Sequence, residues 1–169
     1  MNLSFDINTR EGDIIIVSLS SSYAYLKELL PDQSEAFEVL EVSLIRKAGD
    51  NPIKMEVFGK IADILLSIAE ENPHTILFYF CDIVEGIPRL RTGKGIQAHK
   101  YRNELFKLLF ARYCKRAQEH WSDIEVILKS TDPFLEMYAH FLVRDKHLTL
   151  IDLLKAEVQN NFQAISDQK

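Results

Sequence analysis

Cysteine, glycine and proline are all scarce in this 169-residue chain, at 2, 6 and 5 residues, and each scarcity closes off a class of protein. Cys81 and Cys114 lack the paired spacing of a zinc ribbon or redox motif. They exclude a disulfide-stapled scaffold and point to a reducing compartment. The low glycine and proline content excludes collagen-like and linker-rich disordered chains. Long hydrophobic runs are also missing: the longest, Ile76 to Cys81, falls far short of the roughly 20 residues a membrane helix needs. Met1 to Asp6 lacks the basic and apolar regions of a signal peptide, so the expectation is a cytoplasmic protein with no membrane contact.

What is present is the material of one folded domain spanning residues 1–169, with 47% hydrophobic and 27% charged residues. Leu3, Phe5 and Ile7 alternate with polar residues, and Arg10-Glu11-Gly12-Asp13 turns the chain into Ile14 to Val17, which reads as a β-hairpin. Ser20-Ser21-Ser22 reads as the cap of short helical turns ending at Leu30, before Pro31. A third strand is expected over Phe37 to Ile45. Its apolar parity switches between Val39 and Leu40, which predicts a bulge near Leu40. Asp50-Asn51-Pro52 reads as a capped helix start, followed by Phe58, Ile61, Leu65 and Ile68 at helical spacing up to Asn72-Pro73. The run Ile76 to Cys81 has no alternation and predicts a central strand covered on both faces.

After a loop from Asp82 to Gly95, a long helix is expected over Ile96 to Ala117. Strands follow, carrying Ile124, Val126 and Leu128, then Met137, Ala139, Phe141 and Val143, with Asp132-Pro133 in the turn between them. A terminal helix carries the stripe Ile151, Leu154, Val158, Phe162 and Ile165. The expected class is α+β, a mostly antiparallel sheet of about six strands with two long helices and a C-terminal helix, in the order β-β-β-α-β-α-β-β-α.

Net charge is −5, which excludes a uniformly basic polyanion binder. The charge is nonetheless segregated. Residues 88–116 hold nine Lys and Arg against Glu104 alone, whereas the rest of the chain is strongly acidic. On the long helix, Arg102, Phe106, Leu109 and Tyr113 share a side that should face the core, and Lys100, Glu104, Lys107 and Lys115 lie on another. A buried Arg102 needs an anionic or carbonyl partner, and Asp82 at the end of the central strand is the candidate for a structural ion pair. Arg89, Arg91, Lys94, Lys100 and Lys107 are the candidate anion- or partner-binding cations, and Gly93 and Gly95 the candidate backbone anion turn at the helix start.

Catalytic motifs are missing. A P-loop fails because Pro88 stands where its first glycine should be and Gly95 where Ser or Thr is required. His74, His99, His120, His140 and His147 form no zinc-binding pair, so no metal site is expected. Glu125 and Lys129 are too far apart for a restriction-type metal site, and no nucleophile elbow occurs. Cys114 in the long helix and Cys81 in the apolar strand read as inert packing. Trp121 and the Phe78-Tyr79-Phe80 set read as core rather than as a base-stacking platform.

Two resemblances carry further expectations. The strand end Cys81-Asp82, the Arg102-Asn103-x-Leu105-Phe106 stretch, and the strand from Tyr138 to Arg144 before a terminal helix resemble a family of small uncharacterised Bacteroidetes proteins. The loop from Ile87 to Lys100 is longer than that family's connection. The resemblance implies a single α+β domain in a bacterial cytosol, with no assigned activity or cofactor. Thr92-Gly93-Lys94-Gly95-Ile96-Gln97 is similar to the [RQ]-x-x-G-x-[GA] turn of GNAT-type acyltransferases, with Gly95 matching the first glycine and Thr92 and Gln97 departing. In that family the turn's backbone N–H groups hold the acyl-CoA pyrophosphate, and the cofactor enters a V-shaped cleft where the central strand splays from its neighbour. The leading expectation is a non-catalytic cytosolic module binding an acidic protein or nucleic acid. The alternative is acyl-CoA-dependent N-acyl transfer, with acetyl-CoA as cofactor.

Overall fold

Among the described residues, six strands and three α-helices follow one another as the hydrophobic periodicities require. The computed structural model describes residues 2–21, 26, 28, 37–51, 53–81, 98–117, 119–129 and 136–166. Strands β1 (Asn2–Asn8), β2 (Ile14–Ser20) and β3 (Glu38–Ala48) lead into helix α1 (Met55–Glu71) and strand β4 (Thr75–Cys81). Helix α2 (Ala98–Arg116), strands β5 (Trp121–Leu128) and β6 (Met137–Arg144), a 3-10 segment (Asp145–Leu150) and helix α3 (Ile151–Ser166) complete the chain. The expected turns over residues 22–30, the loop over 82–95 and the Asp132-Pro133 turn fall largely or wholly outside the described residues.

The sheet runs β1-β2-β3-β4-β6-β5, antiparallel throughout except for the parallel pair β3–β4. That pair is joined through α1, the crossover that parallel strands demand. One face of the sheet packs on α1 and α2: Val17, Leu40, Val42, Leu77 and Tyr79 join Phe58, Ile61 and Leu65 of α1 and Phe106, Leu109 and Tyr113 of α2 in one cluster. The opposite face packs on α3, where Val39, Ile76, Phe78, Ala139 and Phe141 meet Ile151, Leu154 and Val158. Phe162 packs against this cluster, while the side chain of Ile165 lies outside the described residues. β4 is covered on both sides, the physical reason its run shows no alternation.

Two sequence expectations are corrected. No irregularity occurs near Leu40. Val39 and Leu40 are successive residues on opposite faces, both buried because both faces are covered there. The register shift lies further along, where Ile14 pairs with Ala48 and Ile15 with Arg46, so that Lys47 is the extra residue. The second correction concerns the start of α1, which begins at Met55 with Lys54 at the N-cap and no side-chain cap. Asn51 does not cap the helix because its amide is engaged elsewhere. Its backbone N–H and Nδ2 donate to the two oxygens of Asp13, at 3.1 and 3.0 Å.

Asp13 is buried and also accepts from Thr9 Oγ1 and from Arg46 at 3.5 Å. The Asn51 side-chain amide, with further help from the Asn51 N–H, Arg46 and Thr9, overcomes the cost of burial and holds its carboxyl below the usual range. Gly49 completes this turn at φ 84°, and a Cβ there would lie 1.9 Å from Asp13 Oδ1. Gly49→Ala is therefore expected to lower stability by about 2 kcal/mol or more, from the left-handed backbone alone before the clash is counted. A urea unfolding midpoint indistinguishable from wild type would contradict this account of the turn.

Candidate functional site

The parallel ladder between β3 and β4 is short. Glu38 to Glu41 pair with Thr75 to Phe78, and then the ladder ends. β3 nevertheless continues to Ala48, still paired with β2, and β4 continues to Cys81, paired with β6. Beyond Glu41 the two strands do not pair with each other, and the β4-facing backbone edge of Val42 to Ala48 has no ladder partner among the described residues. Such an edge offers alternating N–H and C=O groups to any extended, amide-bearing chain. The cleft opens toward the carboxyl ends of the two parallel strands, where open sheets with crossover helices place their ligands.

The mouth of the cleft is built from three segments. The Gly49–Asn51 turn leads from β3 into α1, so the N-terminal end of α1 is delivered to the open end of the parallel pair. Arg46 comes from the end of β3, with a side chain only 6% exposed and an Nε that has no hydrogen-bond partner. Tyr101 comes from the second turn of α2 and lies within electrostatic reach of Arg46; burial pushes its hydroxyl above the ordinary tyrosine value. In the first turn of α2, His99 is buried with Nε2 unpartnered, and its ring stacks on Tyr138 of β6. Burial, then Lys100 and Arg102, push the His99 imidazole below its usual pKa, so it is held neutral.

A column of polar groups fixes α2 against the sheet. His140 on β6 is fully buried, with Nδ1 2.8 Å from Asp123 Oδ1 on β5 and Nε2 2.5 Å from Asn103 Oδ1 on α2. Asn103 in turn donates from Nδ2 to Glu125 Oε1 at 2.7 Å, which orients its amide and turns its oxygen toward His140. Lys107 Nζ closes the column with ion pairs to Glu125 at 2.8 Å and Glu104 at 3.5 Å.

Burial alone would push the Glu125 carboxyl up. Hydrogen bonds from Lys107 and Asn103 outweigh it and hold the group below the usual carboxylate range. A depressed folded-state pKa stabilises the fold above the ordinary Glu value of about 4.3 and loses that contribution as pH falls through the lower value. Glu125→Gln is expected to unfold at lower urea than wild type at pH 6, and the difference should vanish as pH falls below about 4. A constant difference across that range would contradict the assignment.

Of the residues singled out from sequence, Lys100 and Arg102 stand in the first turns of α2, Arg102 at only 7% exposure. Lys107 is taken up by the polar column, and Arg116 pairs with Asp63 and donates to the Gly59 carbonyl at 3.1 Å. The cations at positions 107 and 116 are thereby compensated from elsewhere in the fold, and the first turn of α2 holds Lys100 and no acidic residue. Asp82, Arg89, Arg91, Gly93, Lys94 and Gly95 lie outside the described residues, and with them the proposed Asp82–Arg102 pair. Phe106, Leu109 and Tyr113 are buried as the helical spacing requires, and so are Phe78, Tyr79 and Trp121.

Sequence reasoning missed Arg46, Gly49, Asn103 and His140. The signal for the first two was the pattern Arg46-x-x-Gly49-x-Asn51 between a strand and a helix; for His140 it was parity with Tyr138 and Leu142 on a strand apolar on both faces. Cys114 is a poor nucleophile: burial, then Asp123 and Asp145, push its thiol up to about 11. Among the described residues no group of His, Cys, Asp and Glu is placed to hold a metal. No helix among them is long and apolar enough to cross a membrane. Comparison with protein families, with curated proteins and with solved structures finds no match to this chain.

Proposed function

We propose that the protein binds an acyl-CoA-type ligand in the β3–β4 cleft and acts as a GNAT-like N-acyltransferase. The observation that carries this reading is the early end of the parallel ladder, which leaves an open strand edge beside a glycine turn and a helix N-terminus. An acyl-CoA has two parts that suit this place. Its pantetheine arm is an extended chain with two amides, able to pair with the free edge of β3. Its phosphates suit the N-terminal end of α1, with Arg46 and Lys100 on the rim. The segment Arg46-Lys47-Ala48-Gly49-Asp50-Asn51 is similar to the family's [RQ]-x-x-G-x-[GA] pattern with Asn51 in the final place, and it runs from the last residues of the splayed strand into the turn that follows. One departure matters: the Asn51 N–H is already taken by Asp13, so the phosphates would rest on the helix N–H groups beyond it.

Titration calorimetry with acetyl-CoA tests the reading. Saturable heat and a raised melting temperature are expected, with pantetheine and 3′,5′-ADP each binding more weakly than the whole cofactor. The absence of heat and of any thermal shift with millimolar acetyl-CoA would overturn it.

A second reading is favoured by the first turn of α2, which carries Lys100 and no carboxylate. In it the basic segment 88–116 binds an acidic protein or nucleic acid. Retention on a heparin column should fall with salt, and should fall further when Arg89, Arg91, Lys94 and Lys100 are neutralised. Lys107→Ala should leave retention nearly unchanged, because its ammonium is engaged by Glu125. Equal retention of the four-site variant and wild type would exclude this reading.

A further inference from the structure

Among the described residues the sheet ends on β1 at one side and β5 at the other. β5 carries Asp123 and Glu125 near its middle, the kind of charge that protects a strand edge from unwanted pairing. β1 lacks such protection. Its residues, Asn2-Leu3-Ser4-Phe5-Asp6-Ile7-Asn8, include no proline and pair with β2 in unbroken register. Its single charge, Asp6, is paired by Lys47 of β3 at 3.5 Å. We propose that β1 is a homodimerisation strand: two copies of the chain join β1 to β1, antiparallel, about a two-fold axis at Phe5, and so form one continuous sheet. This edge lies beyond β2 from the β3–β4 cleft, and the proposal does not depend on acyl-CoA binding.

The hairpin shows which backbone groups are free. The Thr9 N–H donates to the Asp13 carbonyl at 2.9 Å, and these two residues continue the register in which Asn8 faces Ile14. Bonded and non-bonded pairs alternate along an antiparallel ladder, so Ile7, Phe5 and Leu3 direct their N–H and C=O groups to β2. Asn2, Ser4, Asp6 and Asn8 direct theirs to the open edge. A second β1 can pair only where these outward residues face one another, which puts a central two-fold axis at Ser4, Phe5 or Asp6. An axis at Asp6 opposes the two Asp6 carboxylates, and one at Ser4 carries Ile7 and Asn8 past the end of the partner strand. The Phe5 axis uses the whole strand. Asn2 then faces Asn8, Leu3 faces Ile7, and Ser4 faces Asp6.

The side chains favour the same register. A two-fold axis normal to the sheet keeps each face on its own side, so Leu3, Phe5 and Ile7 of both copies share one face. Leu3 and Phe5 pack against the core under α1 and α2 but are only partly buried, at the flank of that core. Phe5 would meet Phe5 of the second copy in a non-hydrogen-bonded pair, the type with the closer side chains, and each would cover the other's flank. On the polar face Ser4 meets Asp6, and no like charges are opposed. A pattern that reads alike from both ends is what an isologous interface requires, because one surface serves both copies. A single strand pair of this length falls below the roughly 1,200 Å² of standard interfaces, so the dimer should dissociate at about 10–100 μM.

Sedimentation equilibrium of the full chain should show a mass rising from 19.5 kDa toward twice that value across this range and stopping there, since pairing consumes both β1 edges. Ser4→Pro removes an outward N–H that β2 does not use, and should keep the chain monomeric with an unchanged circular dichroism spectrum. Ser4→Asp, at an exposed position, sets like charges against Asp6 of the second copy twice over and should weaken association about tenfold. Ser4→Lys should not weaken it. Phe5→Cys should give a disulfide-linked dimer on mild oxidation. Leu3→Cys should not, because the axis holds its two copies about 13 Å apart. A monomer at about 500 μM, a mass that grows past the dimer, equal weakening by Ser4→Asp and Ser4→Lys, or preferential cross-linking through Leu3→Cys would overturn the proposal.

Discussion

His140→Ala is expected to lower stability by about 4 kcal/mol, with a melting temperature roughly 10 °C below wild type. Two effects add. The imidazole is fully buried, so its removal leaves a cavity worth about 3 kcal/mol between β6 and α2. The variant also strips a donor from Asn103, itself only 3% exposed, at a cost of about 1 kcal/mol or more for the unsatisfied oxygen. Asp123 is partly exposed and recovers its hydration, which keeps its share small. A double-mutant cycle with Asn103→Ala should return a coupling of about 1 kcal/mol, because each residue exists partly to satisfy the other. A loss below about 1 kcal/mol for His140→Ala would mean that the polar column does not anchor α2. Since α2 also carries His99 and Tyr101 to the cleft mouth, the proposed acyl-CoA reading expects acetyl-CoA affinity to fall in parallel.

Arg144→Met should cost about 3 kcal/mol. Methionine keeps an apolar stem packed against Trp121 but removes the donors that close the C-terminal end of α1 at Ala69 and Asn72. Hydrogen bonds from a charged group are worth about 1.5–3 kcal/mol each, and the lost favourable charge at the helix end adds a few tenths. Glu119 is 52% exposed and is rehydrated when the guanidinium is gone, so its ion pair contributes little. Arg144→Lys should recover only part of the loss, because one ammonium cannot reach both carbonyls in the planar geometry that the guanidinium offers. Amide exchange near residues 68–72 should quicken in Arg144→Met. Unchanged exchange there would show that the helix end is held by something else.

Much of the fold was legible because most of its elements have one dominant period. Phe58, Ile61, Leu65 and Ile68 repeat at helical spacing and all face the core. Leu3, Phe5 and Ile7 alternate, and the hairpin pairs in that register. Legibility failed where burial was two-sided or where a side chain had a distant use. Val39 and Leu40 gave the pattern of a bulge because a strand covered on both faces carries apolar residues at consecutive positions. Asn51 gave the pattern of a helix cap because nothing local reveals that Asp13 claims its amide across 38 residues. Charge was the least legible property: Lys107 and Arg116 count as basic in any window of sequence, yet Glu125 and Asp63 reach them only in the folded chain.

From the amino-acid order alone came the α+β class, the succession of elements, the doubly covered central strand and the buried side of α2, because each follows from short-range periodicity and from the need to bury apolar surface. The tertiary structure decided where the β3–β4 ladder stops, which cations are compensated, and which polar groups meet at His140 and at Arg144. Those outcomes depend on contacts between residues far apart in sequence, and no local pattern encodes how two strands part or which carboxylate finds which base.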